Sequence, residues 1–439
     1  MIVLRAYKTE LDLNHGQRTA LARHAGAARY AYNWGLARKI EAHEAGQRLP
    51  SAIDLHRALN ELKKGELGWM YEVSKCAPQE ALRDLDKAFD NFFRRLKNGE
   101  IEPHKRRKDG QMEGYPHFKS RKRGLGSFRL TGAIHIFEDA VQLPRLGRLR
   151  LHEKGYLPTL GVKILSATVS EHAGRWFVSV QVEQELPDPG GSEVSLPSQA
   201  EVVGVDLGVK AMATCSDGRE FENPQVLRKV QRKLKRHQRE LARRKAGSQN
   251  REKTRRKIAR LHYRIGNIRK DALHKATSAI VKAKPKPKVV VLEDLNVNGM
   301  LQNHTLALAI ADVGLYEFRR QIIYKAAWNG VQVLIAPRFF PSSKLCSVCG
   351  CIKDDLTLAE REWQCECGVR HQRDLNAAVN LRGLATPLGM STVGRISSGA
   401  TGSSPGSNAC GEERLQASLG PVLLVEAGTK QQSTLCRFV

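Results

Sequence analysis

Long apolar runs are missing from this chain. The unbroken ones span only a few residues, such as VVVL at 289–292, far short of the roughly 20 that a membrane helix needs. No segment is expected to span a membrane. The opening MIVLRAYKTELDL alternates apolar and charged residues. It has no apolar region or cleavage site of a secretory leader, and the expectation is a cytoplasmic protein. Acidic residues are scarce: 45 Asp and Glu stand against 72 Lys and Arg, a net charge of +27. Such an excess repels itself unless a polyanion neutralises it, and phosphate backbones are the usual partner. Cysteine is sparse too, nine residues in all, yet Cys346, Cys349, Cys351, Cys365 and Cys367 crowd into 22 positions. Clustered cysteines in a reducing compartment suggest metal rather than disulfides. Cys76, Cys215, Cys410 and Cys436 are scattered and read as incidental. No internal repeat is present.

With 439 residues and 41% apolar content, about two to four packed domains are expected. IVLRAY at 2–7 reads as a strand. The next segment, to Gly46, has helical spacing with Gly26 as a break, and PQEALRDLDKAFDNFFRRLKNG continues the helical pattern to a stop at Gly99. From 127 to 186 the period changes to two, giving short strands compatible with a small barrel that includes strand 2–7. PDPGGSEVSLPSQA at 187–200 is a linker. An α/β pattern follows: strand VVGVDLG, a hairpin turning at Asp217-Gly218, a long basic helical pair broken at KAGSQN, and strand KVVVLED. A helix near 312–328 and strand VQVLIAP complete it. Beyond 383 the text is rich in Ser, Gly and Thr, and a disordered tail is expected.

Three constellations carry chemistry. Cys346-x-x-Cys349 and Cys365-x-Cys367 form two knuckles fifteen residues apart, and zinc takes four soft ligands in such pairs. Cys351 and His371 are possible substitutes for the tighter second knuckle. Four thiolates leave no open position, so this zinc is read as structural. Asp206 and Glu293 end apolar strands, and Asp374 heads a helical stretch. Three carboxylates on two strands and a helix suit two magnesium ions, roughly 3.5–4 Å apart, for phosphodiester hydrolysis. Asp294 is a weaker candidate, because alternation points it the other way. Residues 227–257 hold fifteen Lys and Arg against Glu240 and Glu252, and solvated faces normally mix signs, so a phosphate-tracking role is expected. Residues 103–124 form a second basic patch, whose Tyr115 and Phe118 either stack on bases or pack in a core.

These residues, in this order, resemble the transposon-encoded TnpB (OrfB) proteins, relatives of the type V CRISPR nucleases. The carrying motifs are YAYNWGLARKI, GVDLGVK, VLEDLNV, YKAAWNGVQVLIAPRFFPSSKLCSVCG and CECG…HQRDLNAAVNL, and the match covers residues 1 to about 382. The resemblance implies a multidomain α/β protein with an RNase H-like RuvC nuclease domain at 201–340 and 369–382, carrying the basic helical pair 225–275. It implies a zinc ribbon at 341–368, a wedge-like β-barrel at 1–12 and 113–186, and a helical recognition domain at 13–112. The linker 187–200 and a disordered tail at 383–439 complete this division. The implied activity is RNA-guided, magnesium-dependent cleavage of double-stranded DNA beside a short transposon-adjacent motif, with a guide RNA from the transposon end.

By motif, Asp206, Glu293 and Asp374 correspond to the catalytic magnesium-binding carboxylates, and Cys346, Cys349, Cys365 and Cys367 to the zinc ligands. Lys75 and Gln79 align with DNA-contacting positions. One departure is visible: the family commonly reads DRD where this chain reads QRD, with Gln372 first. The second acid is the catalytic one, so activity is expected to survive. A nuclease-dead RNA-guided repressor is a rival, but all three acids are present. An RNA-independent RuvC-type nuclease would not need so much basic surface. A transposase or zinc-ribbon protein that binds element ends is a third reading, and no feature of the chain implies strand transfer.

Overall fold

In the computed structural model the described residues are 2–102, 104–107, 110–121, 124–185, 198–357, 359–385, 394–395 and 423–426. They fall in two compact units, one drawn from residues 1–187 and one from residues 188–400 and 418–439.

The first unit opens with β1 (Ile2–Asp12), α1 (His15–Glu44), α2 (Ala52–Lys63), a 3-10 turn at Gly68–Glu72 and α3 (Cys76–Lys97). A capping box starts α1: Gln17 N–H donates to Asn14 Oδ1 at 2.8 Å, and Asn14 N–H to Gln17 Oε1 at 3.1 Å. Gly26 does not break this helix. An interior glycine costs about 1 kcal/mol, and the buried Ala25, Ala27 and Ala28 around it hold the helix through packing. Gly99 does end α3, at φ +68°. α2 was not expected, although Ser51 and Asp54 form a capping box and Ala52, Leu55 and Leu59 recur at helical spacing.

Six further strands follow: β2 (Ser127–Leu130), β3 (His135–Ile136), β4 (Ala140–Leu143), β5 (Gly147–Leu151), β6 (Val162–His172) and β7 (Arg175–Glu185). They join β1 in a sheet of order β2-β6-β7-β1-β5-β4-β3. The expected partnership of the first strand is therefore present. Ile2 to Glu10 pair with β7, and Leu11 and Asp12 cross to β5. One apolar cluster spans this sheet and the helices, including Leu21, Leu36, Leu82 and Leu85 with Phe128, Val141 and Val178.

The second unit begins with β8 (Val202–Asp206), β9 (Ala211–Cys215) and β10 (Glu220–Glu222), an antiparallel meander. The basic pair α4 (Val226–Arg243) and α5 (Gln249–Val281) follows, then β11 (Val289–Leu292), α6 (Val297–Leu301), α7 (Ala307–Val313) and α8 (Leu315–Asn329). After them come β12 (Gln332–Ile335), a hairpin of β13 (Glu362–Gln364) and β14 (Arg370–Gln372), and α9 (Arg373–Gly383). Of residues 386–439 only β15 (Gly394–Arg395) and β16 (Leu423–Glu426) are described, with β16 parallel to β12. The sheet runs β10-β9-β8-β11-β12, with β11 parallel to both β8 and β12.

Both faces of this sheet are covered, which is why its strands read as continuous apolar runs rather than alternating ones. Val203, Val205, Val290, Leu292, Val333 and Ile335 pack with Leu273 and Ile280 of α5 and Phe318 of α8. Val202, Val289, Val291 and Leu334 pack with Leu381 of α9 and with Leu384. The buried Asp312 in the last turn of α7 anchors the basic pair: it accepts from Leu227 N–H at 2.9 Å and from Arg269 Nη2 at 3.0 Å. A negative charge at the start of α4 also suits the helix dipole.

Candidate functional site

Strand alternation decides where the acids face. Residues 202 and 204 of β8, and 289 and 291 of β11, point toward α9, so Asp206 and Glu293 fall on that same side. Val205 is the register partner of Leu292, which makes Asp206 and Glu293 the next neighbours beyond the paired strands. Asp374 stands in the first turn of α9, the helix covering that face. Asp294 falls on the other face, where it accepts from Arg319 Nη1 at 2.7 Å and Arg338 Nη2 at 2.8 Å. Burial would raise Asp294, but those arginine hydrogen bonds outweigh it and hold the carboxyl below its usual range.

The three facing acids feel one another. Asp206 is pushed well above the usual carboxylate range, first by burial and then by the charges of Glu293 and Asp374, with Arg373 and Arg361 opposing. Burial also raises Glu293, against a 2.5 Å hydrogen bond from Ser342 Oγ and the charge of Arg373. Arg361 Nη1 donates to both oxygens of Asp374, at 3.1 and 3.3 Å. Clustered desolvated carboxylates of this kind favour a divalent cation, because it removes the repulsion that otherwise holds protons on.

The sulfur atoms of Cys346, Cys349, Cys365 and Cys367 all lie within 4.8 Å of one another. Cys351 and His371 are outside this set, although His371 Nε2 sits 3.0 Å from Cys346 Sγ, placed to donate to it. Each knuckle is closed by the glycine after its second cysteine, through a five-residue turn in the first and a four-residue turn in the second. Gly350 and Gly368, at φ +77° and +87°, return their N–H groups to the carbonyls of Cys346 and Cys365. Despite burial, hydrogen bonds from the Cys349 and Val348 backbone and from His371 bring Cys346 down to about 5. Four convergent thiol groups of this kind fit a tetrahedral zinc ion.

Sequence reading missed the residues that join these centres. Gly204 lets α9 lie against β8, since a Cβ there would meet Ala378 O at 2.1 Å. On another side of α9, Asn376 accepts from Ser347 N–H at 3.1 Å and donates to Leu345 O at 2.7 Å. Asn380 donates to Ser342 O at 2.8 Å and Leu345 O at 2.7 Å. The signals were a glycine inside an apolar strand and two asparagines four apart on one helix. Gln372 has a local job: it caps α9, accepting from Leu375 N–H at 2.6 Å, and donates to Glu220 Oε1 at 3.3 Å.

Lys75 and Gln79 lie at the start of α3 in the first unit, four residues apart, with Lys75 exposed. Residues four apart share one helix face. Tyr115 and Phe118 part ways. Tyr115 packs edge-on against Phe89 and Phe92, whereas Phe118 is exposed. A groove of about 800 Å³ runs beside α1, lined by Arg23, Arg29, Tyr30, Trp34 and Trp69 among others. Arg232, Lys233, Lys235, Arg236 and Arg239 of α4 are exposed.

Residues 177–304 match the OrfB_IS605 family, described as a probable transposase, and residues 316–381 match a Cas12f1-like TNB domain. Residues 1–48 match the helix-turn-helix domain of the same OrfB family, a span in which this structure has β1 and the single long helix α1. A Streptomyces pristinaespiralis protein named "Putative RNA-guided DNA endonuclease" is 36% identical over 396 residues, 89% of this chain and 91% of its own. InsQ of Escherichia coli K12, with the same descriptive name, is 34% identical over 86% of this chain and 91% of its own. Among solved structures, the mini-RNA-guided endonuclease CRISPR-Cas_phi3 aligns over 87% of this chain and 92% of its own, at 9% identity and a TM-score of 0.46.

Proposed function

Because the chain belongs to the TnpB (OrfB) family, whose similar members carry the name "Putative RNA-guided DNA endonuclease", we propose that it cuts double-stranded DNA under the direction of a bound RNA. The observation that carries this reading is the placement of Asp206, Glu293 and Asp374 on one face and at one end of the second sheet. The strand order, a three-stranded meander flanked by two parallel strands, supports an RNase H-like RuvC domain. The first unit supplies the wedge-like barrel and the helical recognition domain.

When bound, two magnesium ions supply the attacking hydroxide and neutralise charge on the leaving oxygen. The chain's own residues prepare the place. Asp206 and Glu293, adjacent in register, hold one wall of the site, and Asp374 faces them from α9. Ser342 orients Glu293 through its Oε1, leaving the other oxygen to ligate. Arg361 holds the Asp374 carboxylate in place, where it would serve as a cation ligand. Cys346, Cys349, Cys365 and Cys367 hold one structural zinc.

Guide pairing reads the sequence, while the protein grips the RNA–DNA duplex by shape and charge. The exposed cations of α4 and α5 serve that grip, and Lys75 and Gln79 contact the DNA of the adjacent motif. The guide comes from the transposon end, and the work is done in the cytoplasm. The expected disordered tail lies almost wholly outside the described residues.

The test is to purify the full chain, sequence the RNA that accompanies it, and supply DNA matching that RNA beside candidate motifs. Guided, magnesium-dependent cuts are expected. Cleavage undiminished after RNA removal would instead mark an RNA-independent nuclease.

A further inference from the structure

The three acids come from chain positions far apart, yet α9 touches the machinery of each. Asp374 is on it, Gly204 of the Asp206 strand lies against it, and Asn380 holds the Ser342 backbone whose hydroxyl binds Glu293. The same helix also grips the first cysteine knuckle. Asn376 and Asn380 are buried, at 3% and 8% exposure, and three of their four hydrogen bonds go to Leu345 and Ser347, the neighbours of Cys346. Each amide is thus committed to the knuckle side, although neither touches a carboxylate or a cysteine sulfur. A second link runs through the hairpin. Cys365 and Cys367 precede β14, β14 runs straight into α9, and Arg373 N–H donates to Arg361 O at 2.8 Å.

We infer that Asn376 and Asn380 are positioning residues that set α9 on the cysteine knuckle, so that zinc at the cysteines and divalent cations at the carboxylates bind cooperatively. Zinc fixes the path of residues 342–347, which fixes α9 and Ser342, and these place Asp374 and Glu293. Coupling of binding free energies is reciprocal, so cations at the carboxylates must raise zinc affinity by the same factor. Groups that orient metal ligands through hydrogen bonds commonly change metal affinity by about 10- to 100-fold when removed. This inference rests on the proposed metal site of Asp206, Glu293 and Asp374.

The experiment uses the full-length protein with its RNA, Mn²⁺ as the probe of the carboxylates, and a chromophoric chelator as the probe of zinc affinity. The variants are Asn376→Ala, Asn380→Ala, and Asn380→Asp, which keeps its size but loses both donors. A thermal melt checks folding of each. In the unaltered protein, zinc removal is expected to weaken Mn²⁺ binding about tenfold, and saturating Mn²⁺ to tighten zinc binding against the chelator by the same factor. The asparagine variants are expected to hold zinc about tenfold more weakly in competition with the chelator, and to weaken Mn²⁺ binding. Zinc removal from a protein carrying both Asn376→Ala and Asn380→Ala should then add little further loss. Equal effects of zinc removal with and without the asparagines would overturn the coupling. So would unchanged zinc affinity in Asn380→Asp. Should Asp374→Ala leave Mn²⁺ binding intact, the carboxylate site itself is wrong and the coupling falls with it, while intact Asp374-dependent binding that ignores the asparagines refutes the coupling alone.

Discussion

Gly204 and Ala378 are in backbone contact: a Cβ on Gly204 would sit 2.1 Å from Ala378 O and 2.5 Å from Arg382 N. Neither neighbour is the end of a flexible side chain, so α9 itself must move to admit a methyl group. Gly204→Ala is therefore expected to lower stability by at least about 1–3 kcal/mol, the usual cost of overpacking. It should also abolish cleavage by displacing Asp374 from Asp206. A melt and a cleavage assay on one preparation check both. A variant with unchanged melting and activity would mean that α9 does not sit where the structure puts it.

Asp374→Asn keeps the side chain's shape and removes its charge. Cleavage should fall by at least about 10²–10³-fold, the usual loss when a group stabilising developing charge is removed. RNA and DNA binding, measured by filter retention, should be unchanged. If binding fell together with cleavage, Asp374 would be holding the fold rather than the reaction.

Zinc removal, or Cys365→Ser, should unfold the hairpin β13–β14, because a structural metal's binding energy is folding energy for its module. Hydrogen exchange at 362–372 should speed up while α1 to α3 in the first unit stay protected. Uniform loss of protection would deny the ribbon its local role.

His24 makes the first unit sensitive to acid. The ring is buried; Nδ1 lies 2.8 Å from Ala20 O, and Nε2 accepts from Ser74 N–H at 3.0 Å. Burial lowers its pKa below the ordinary value, against the Ala20 hydrogen bond. A depressed histidine contributes stability that is complete above its unfolded pKa of about 6.5 and declines as pH falls toward the folded value. Melting temperature should drop between pH 7.5 and 5.5, and His24→Gln should flatten part of that slope. An identical slope in the variant would clear His24 of the effect.

Replacing Arg232, Lys235 and Arg236 with glutamine tests the grip of α4. Each lost phosphate contact should reduce the salt slope of RNA binding by about 0.7–0.9. Cleavage at saturating RNA should persist. No change in slope would make this face merely solvated.

Much of the second unit was legible because its strands are buried on both faces, and unbroken runs such as VVVL cannot be hidden. The division of Glu293 from Asp294 followed from alternation alone. The cysteine knuckles were legible because zinc fixes ligand type and spacing. Gly204 was not, because the helix that needs it lies some 170 residues away in sequence and its contact is with backbone. Gln372 was visible as a departure from family spelling but opaque in purpose. Its role is a helix cap beside Glu220, where an aspartate would set two negative charges together. Gly26 misled because helix propensity is a weak prior that packing overrides.

Asp312 holds Leu227 and Arg269 of the helical pair, and Lys325 of α8 holds His274 O and Thr277 of α5, while the bend near Arg244 to Ser248 lies far along both helices. The 33 residues of α5 make a rod about 50 Å long. Whole turns added to or taken from both helices at that bend would leave Asp312, the sheet and the carboxylates in register. Reach along a polyanion is thus a separately adjustable dimension of this molecule, set by the length of two helices and not by the geometry of its chemistry.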